Sequence, residues 1–351
     1  MTNPAALVSS EIRNRVGHIT LNRPAAYNAI NLDMTLLLLE QLRAWQQDNQ
    51  VLAVVLRATG DKAFCAGGDI RELYDNHRAG SPRAMEFFHQ EYILDQLIHD
   101  YARPVLALGE GLVLGGGMGL FQGASLRVIT ENARLGMPET GIGYFPDVGG
   151  SYFLSRLAGQ IGSWLAVSGT LLDAADALHA GLADWLIPSG QLSRLDQQLD
   201  NMAWSEQPDA DLRQLLEQLC TPATGSASLA ALQPAIDRHF AFDQIGQILD
   251  SLASEQHPDY ADWAQHTLAT LNSRSPMAMV MALAMQRRAR TLPLPQCFAM
   301  ELQAIHQWFE QGDFIEGVRA VIVDKDKNPQ WKYREVAQVP AAEINAMLAG
   351  F

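Results

Sequence analysis

The sequence predicts an α/β protein with a helical C-terminal region, and three observations carry that expectation. Short apolar runs rich in β-branched residues (51–56, 104–108, 126–129) alternate with segments of helical periodicity. Two strand exits, at 60–70 and 109–117, are rich in glycine. From 204 to 291 helical segments succeed one another, separated by turn signals at Pro222, Gly225, Pro258 and 273–276. The expected division is a core over 1–203 and a mainly helical part over 204–351.

Taken in order, residues 7–21 (LVSSEIRNRVGHITL) alternate about a turn and predict a hairpin. Asn31 to Asp33 reads as the cap of a helix over 34–47, because a short polar side chain there accepts from the first free amides. The continuous run 51–56 suits a buried strand. GDKAFCAGGDI (60–70) is a strand exit that feeds a second helix start. Met85, Phe88, Tyr92 and Leu97 recur at helical spacing and predict a helix over 82–101. Glu91 lies inside it, and a glutamate on such a helix ordinarily faces water. Strands are expected at 104–108, 112–114 and 126–129, with a helix starting near 118. Beyond Gly150 the pattern turns helical (152–157, 161–167, 174–180, 192–202), with a strand-like piece at 183–188. The methionines of 277–285 read as adaptable core, and 298–310 as a further amphipathic helix. Arg287, Arg288 and Arg290 form the densest basic cluster, either a solvated helix end or a contact for an anionic ligand.

Composition narrows the function. A chain of 351 residues, 48% apolar and 18% charged, can bury a large core. A net charge of −14 argues against a nucleic-acid partner, since neutralising phosphates needs a basic face. The three cysteines, Cys65, Cys220 and Cys297, are too far apart to frame disulfides or a zinc site, which fits a reducing compartment. The first residues show neither a signal-peptide core nor an Arg-rich presequence, and no apolar run approaches spanning length. The expectation is a cytoplasmic protein with no metal and no membrane partner.

The chemistry concentrates in 109–150, GEGLVLGGGMGLFQGASLRVITENARLGMPETGIGYFPDVGG. Gly115, Gly116 and Gly117 stand between a strand and a helix start, where backbone can approach a ligand closely and amides lack partners. Such amides can hold an anion or a developing oxyanion. The exit around Gly68 repeats the device about fifty residues earlier, so two donors from separate loops could meet on one oxygen. Glu139 and Asp147 each follow a proline that stiffens the loop. Uncharged donors with two carboxylates suggest acyl chemistry. The plainer readings are a packing turn for the glycines and solvated loop acids for the carboxylates. A dinucleotide fingerprint fails because position 114 is Leu, and the G-x-S-x-G nucleophile spacing is absent.

LNRPAAYNAI (21–30), KAFCAGGDI (62–70) and GGG (115–117) resemble the enoyl-CoA hydratase/isomerase (crotonase) superfamily. FFHQEY (87–92), MPETGIGYFPDVGGSYFLSRL (137–157) and GDFIEGVRAVIVDKDKNPQW (312–331) resemble its 3-hydroxyisobutyryl-CoA hydrolase branch. The resemblance implies a crotonase-like spiral of ββα units with a helical C-terminal region. It implies hydrolysis of a short 3-hydroxyacyl-CoA, with CoA arriving on the substrate and no separate cofactor. By the same resemblance Gly68 and Gly116 donate the oxyanion amides, and Glu139 and Asp147 are the catalytic acids. Glu91 then contacts substrate, and Ala25, Ala26, Tyr27, Ala66, Asp69 and Ile70 line the CoA channel. Hydratases of the superfamily commonly carry a second glutamate two residues after the triplet; Gly119 stands there, which favours hydrolysis over hydration. Ala25 replaces a basic residue often seen at that position, leaving Arg23 or the 287–290 cluster to meet the CoA phosphates. The rival readings are a hydratase or isomerase and a catalytically silent CoA-binding protein. A homo-oligomer is compatible with the resemblance.

Overall fold

The computed structural model describes residues 7–223 and 227–351, so the turn expected at Gly225 lies outside the described residues. The chain forms two compact units, and neither is a single stretch. One comprises Met1–Asp69, Glu86–Leu135 and Leu172–Ala227; the other comprises Ile70–Met85, Gly136–Leu171 and Ser228–Phe351.

The first unit is built on sheet. β1 (Val8–Arg13) and β2 (Val16–Leu21) form the expected hairpin, with Asn14 and Arg15 both at positive φ, as a two-residue turn between twisted strands requires. Asn31 Oδ1 accepts from Met34 N at 3.1 Å and starts α1 (Leu32–Gln46). The chain then repeats one pattern: a strand, a short second strand, and a helix or helical turn. The first repeat is β3 (Ala53–Ala58), β4 (Ala63–Cys65), then α2 (Ile70–Arg78) and α3 (Arg83–His99). The second is β5 (Val105–Gly109), β6 (Leu112–Leu114) and α4 (Gly116–Gly123). The third is β7 (Leu126–Ile129), β8 (Arg134–Gly136) and a 3₁₀ turn at Glu139–Ile142. With β9 (Trp185–Leu186), the strands sort into a six-stranded sheet, β1-β2-β3-β5-β7-β9, and a three-stranded sheet, β4-β6-β8. This is the spiral of ββα units. β8, only three residues long, carries no readable period and was not expected.

From β2 to β9 the large sheet is parallel, which explains why its strands are mostly apolar rather than strictly alternating. Alternate residues (Val16, Ala53, Val55, Leu106, Leu108, Leu126, Val128) meet the helices Leu192–Asn201 and Pro208–Leu219. The second of these presents Leu212, Leu215, Leu216 and Leu219, spaced to make one stripe. Burying each contributes about 1.5–3 kcal/mol.

One residue of this sheet makes stability depend on pH. His18 in β2 is buried, and neither ring nitrogen has a hydrogen-bond partner among the described residues. Burial, and then the charges of Arg13 and Arg57, push its pKa down to about 4. A base whose folded pKa is depressed loses stability as pH falls from its unfolded value near 6.5 towards 4. Thermal midpoints measured across that window should fall more steeply for the wild type than for His18→Leu.

The second unit is helical. Ser275 caps the helix Pro276–Ala289 through Ala278 N at 3.0 Å, with proline at the first turn where no amide is needed. This helix packs on Ile161–Ser168 and Gly150–Leu154, and its methionines 277, 279, 281 and 285 are buried, as expected of adaptable core. The helix Leu294–Gln311 packs on Gly150–Leu154 as well. Among the described residues, no helix is long and apolar enough to cross a membrane.

Candidate active site

In the first unit the two glycine exits meet. A parallel bridge joins Ile30 to Gly68; it uses the amides of Ile30 (to Gly67 O, 2.9 Å) and Asp69 (to Ile30 O, 2.7 Å) and leaves the Gly68 amide outside the pairing. Gly116 opens α4, where first-turn amides have no intrahelical acceptor. Gly115 has φ 49 and ψ −122, a conformation that a residue with a side chain avoids. Gly117 is required by close approach, because a Cβ there would lie 2.3 Å from the Cys65 carbonyl oxygen. A Cβ on Gly116 would lie 3.4 Å from Gly68 N, so both residues border one small space. The packing-turn reading of the triplet is therefore true of Gly117 but does not account for Gly116.

Glu91, on α3, borders the same space. Its Oε1 would be 2.5 Å from a Cβ on Gly116, and the residue is buried, which corrects the reading of it as a water-facing glutamate. Cys65 lies beside these groups, with burial pushing its thiol up to about 12, so it is no nucleophile at neutral pH.

The predicted channel residues follow the loop 24–27. Pro24–Ala26 is a 3₁₀ turn, with Ala25 exposed, Ala26 half-buried and Tyr27 exposed at φ 52. Tyr27 O accepts from Ala66 N at 3.0 Å, and buried Asn28 donates to Thr59 O and Ala63 O, which tie the loop to β3 and β4. Ala66 and Asp69 are half-buried. Arg23 donates to Asp69 at 2.9 Å and to Ala29 O at 2.7 Å, so the structure already engages both this arginine and the predicted channel acid.

The second unit carries the acids, together with Ile70, half-buried at the start of α2. Glu139 opens the 3₁₀ turn and Asp147 follows five residues after its end. Both are buried, so neither is a solvated loop acid. Burial, and then the charge of Asp147, hold the Glu139 pKa well above the ordinary carboxylate range. Its Oε2 has no hydrogen-bond partner among the described residues. Burial, and then the charge of Glu301, raise Asp147 in the same direction, opposed by the hydrogen bond that Tyr144 donates to its Oδ2 at 3.2 Å. Both carboxyls are thus held in surroundings that disfavour their ionised forms, which brings their titration towards neutral pH, where an acid or base works best. Arg274 packs against this turn; its Nη1 would be 2.7 Å from a Cβ on Gly141, and its Nε donates to Ser168 O at 3.0 Å.

Two groups here escaped the sequence reading. Tyr144, inside the MPETGIGYFPDVGG motif, stacks on Phe145 with centroids 4.5 Å apart, and its hydroxyl is turned to Asp147. Glu301, fully buried, accepts from Gly149 N at 2.8 Å, from Ser151 N at 2.9 Å and from Ser151 Oγ. A signal for it existed: in the amphipathic helix Leu294–Gln311 it falls on the apolar stripe with Cys297, Ala304 and Trp308.

The arginine cluster is corrected in part. Arg287 donates to Asp243, Gln160, Ser163, Phe240 O and Phe242 O at 2.7–2.9 Å. Arg290 donates to Gln160, and Arg288 to Asn345 and Phe351 O. Arg287 and Arg288 tie segments of the second unit together, whereas Arg290 stays exposed at the end of the helix Pro276–Ala289, as the solvated-end reading expects.

Comparison with known proteins agrees with this geometry. A family model described as enoyl-CoA hydratase/isomerase matches residues 16–348. The chain is 36% identical over 340 residues to the 3-hydroxyisobutyryl-CoA hydrolase, mitochondrial, of Gallus gallus, covering 96% of this chain and 87% of that protein. It is 34% identical over 348 residues to the Homo sapiens protein of the same name, covering 98% and 89%. Among solved structures it is similar to an enoyl-CoA hydratase from Rhodobacter sphaeroides 2.4.1 (TM-score 0.87, 34% identity, 98% of this chain and 97% of that one). It is also similar to a carnitinyl-CoA dehydratase from Mycobacterium thermoresistibile (TM-score 0.89, 31% identity, 98% and 97%). The motifs, the ββα spiral and these matches agree: the chain belongs to the enoyl-CoA hydratase/isomerase family.

Proposed function

We propose that the protein hydrolyses a short 3-hydroxyacyl-CoA thioester, 3-hydroxyisobutyryl-CoA foremost, to the free 3-hydroxy acid and CoA. The observation that carries the reading is the buried pair Glu139 and Asp147, both with raised pKa values, on one loop. The 3-hydroxyisobutyryl-CoA hydrolases that resemble the chain over nearly its whole length support the choice of substrate. Against hydration, the position two residues after the glycine triplet is Gly119, buried in α4 and without a carboxyl group. Adding water across a double bond needs coordinated proton transfers, and that position supplies none.

The roles follow from the chemistry of each group. The Gly68 and Gly116 amides receive the thioester oxygen as it becomes negative, a stabilisation that preorganised donors supply without reorganising. Glu139 in its ionised form either takes a proton from the attacking water or attacks the carbonyl carbon itself to form a mixed anhydride. In both routes the carbon–sulfur bond breaks, and the thiolate leaves and is protonated; in the second, water then hydrolyses the anhydride, releasing the 3-hydroxy acid and restoring the Glu139 carboxylate. Asp147, with Tyr144 on its Oδ2, orients the water or the substrate hydroxyl. CoA enters on the substrate, and no other cofactor is needed. The reaction would place the protein in valine breakdown.

The test is an acyl-CoA panel followed in two channels. Free thiol from 3-hydroxyisobutyryl-CoA, with no loss of enoyl absorbance from crotonyl-CoA, is the expected result. The reverse pattern would make the protein a hydratase, and tight CoA binding without either signal would make it a silent binder.

A further inference from the structure

The loop bearing Asp147 is backbone of an unusual kind. Val148 has φ 49 and the next residue, Gly149, has φ 83; a β-branched residue in the left-handed region costs on the order of 1–3 kcal/mol and persists only where its surroundings enforce it. Gly150 N returns to Asp147 O at 2.6 Å and tightens the turn. Gly149 in the left-handed region followed by Gly150, which opens the right-handed helix Gly150–Leu154, turns the amides of Gly149 and Ser151 towards one point, a cradle for an anion. The anion in it is the chain's own Glu301: Oε2 takes Gly149 N, and Oε1 takes Ser151 N and Ser151 Oγ.

The geometry points to Glu301 as a positioning residue for the hydrolase reaction, one that locks the 147–151 turn and thereby aims the Asp147 carboxyl. This rests on the role proposed above for Asp147. Three donors converge on the two oxygens of Glu301, an arrangement that favours an ionised carboxylate, whose two oxygens only accept. A glutamine in its place would turn an NH₂ towards an amide N–H. An aspartate would keep the charge but fall one methylene short.

The charge acts on Asp147 as well as the hydrogen bonds. Glu301 is the largest charged influence raising the Asp147 pKa, and Tyr144 opposes it. Other titratable groups at this place include Glu139, on the 3₁₀ turn, Cys297, one turn before Glu301, whose thiol burial holds at about 11, and Arg156, whose charge acts on Cys297 against that of Glu301. The helix Pro276–Ala289 brings the uncharged Gln286, which donates to Gly150 O at 3.2 Å. Removing the Glu301 charge must therefore lower the Asp147 pKa, and any limb of the pH profile set by Asp147 must move to lower pH.

The test measures kcat, KM and their pH profiles with 3-hydroxyisobutyryl-CoA for wild type, Glu301→Gln and Glu301→Asp. Substrate-free ¹³C carboxyl titrations of wild type and Glu301→Gln accompany them, with Asp147→Asn to assign the signal. For Glu301→Gln the expected result is a kcat about 10–100-fold lower with KM within about threefold, as misplacement of a reacting group produces. The Asp147 titration should move to lower pH, and Glu301→Asp, which retains the charge, should recover that titration. A lowered melting temperature with unchanged kcat and an unmoved titration would reduce Glu301 to a structural role and overturn the proposal. If Glu301→Gln does not fold, Ser151→Ala removes a single donor to the carboxylate; unchanged kcat in that variant overturns the proposal, and a several-fold loss supports it. Wild type that releases no thiol would defeat the hydrolase reading instead, while the titrations still decide whether Glu301 controls Asp147.

Discussion

Glu139→Gln is expected to lose thioester cleavage by about 10³-fold or more, with CoA binding and the fold intact, because the variant removes the carboxylate proposed to react. The expectation on stability has a definite sign. Burial and the Asp147 charge raise the Glu139 pKa, so above its unfolded value near 4.5 the ionised carboxylate costs the folded state free energy. A neutral isostere removes that cost, and the melting temperature of Glu139→Gln at neutral pH should equal or exceed that of the wild type. Steady-state thiol release, calorimetry and CoA titration check the three parts. Turnover within tenfold of wild type would remove Glu139 from the reaction. Single-turnover hydrolysis in ¹⁸O-labelled water then tests for a mixed anhydride: label in the Glu139 carboxylate establishes one that water opens at the Glu139 carbonyl.

Gly116→Ala carries the second large effect. Its methyl would stand 3.4 Å from Gly68 N, 3.2 Å from Ile30 Cδ1 and 2.5 Å from Glu91 Oε1, so it both fills the space at the amide and forces the Glu91 carboxylate aside. Backbone donors cannot be deleted by an ordinary substitution, but they can be covered. Loss of one oxyanion donor lowers kcat by about 10²–10³, or ~3–4 kcal/mol, and covering the space should reach that range. The nearest atom is the far end of a side chain, so the fold should survive. Gly117→Ala is the contrast: its methyl would meet the Cys65 carbonyl oxygen at 2.3 Å, a backbone clash, and the expected loss is in folded protein. Specific activity and melting temperature, measured for both variants, separate the two effects.

Much of this was readable in the sequence for a physical reason. Strand runs, glycine exits and the Asn31 cap are local signals, and each has a single local explanation. Glu139 and Asp147 were legible because prolines and glycines crowd one short stretch around them. Glu301 was not, since the amides it serves lie 150 or more residues away in the chain and only the fold brings them to it. The arginines at 287–290 misled for the same reason: their acceptors come from 160–163, 240–243 and the C-terminus, and a charge cluster looks solvated until its partners are known. Nothing in the valine at 148 announces a left-handed backbone, which its neighbours impose.

Two main-chain amides, from Gly68 and Gly116, are proposed to polarise the thioester carbonyl. Isotope-edited infrared difference spectra of ¹³C=O-labelled 3-hydroxyisobutyryl-CoA bound to Glu139→Gln read that polarisation directly, since cleavage is blocked while the ligand stays. The account predicts a carbonyl stretch clearly below that of the free thioester, returning towards the free value when Gly116→Ala is added. A stretch unchanged from the free ligand in Glu139→Gln, with binding confirmed, would contradict it.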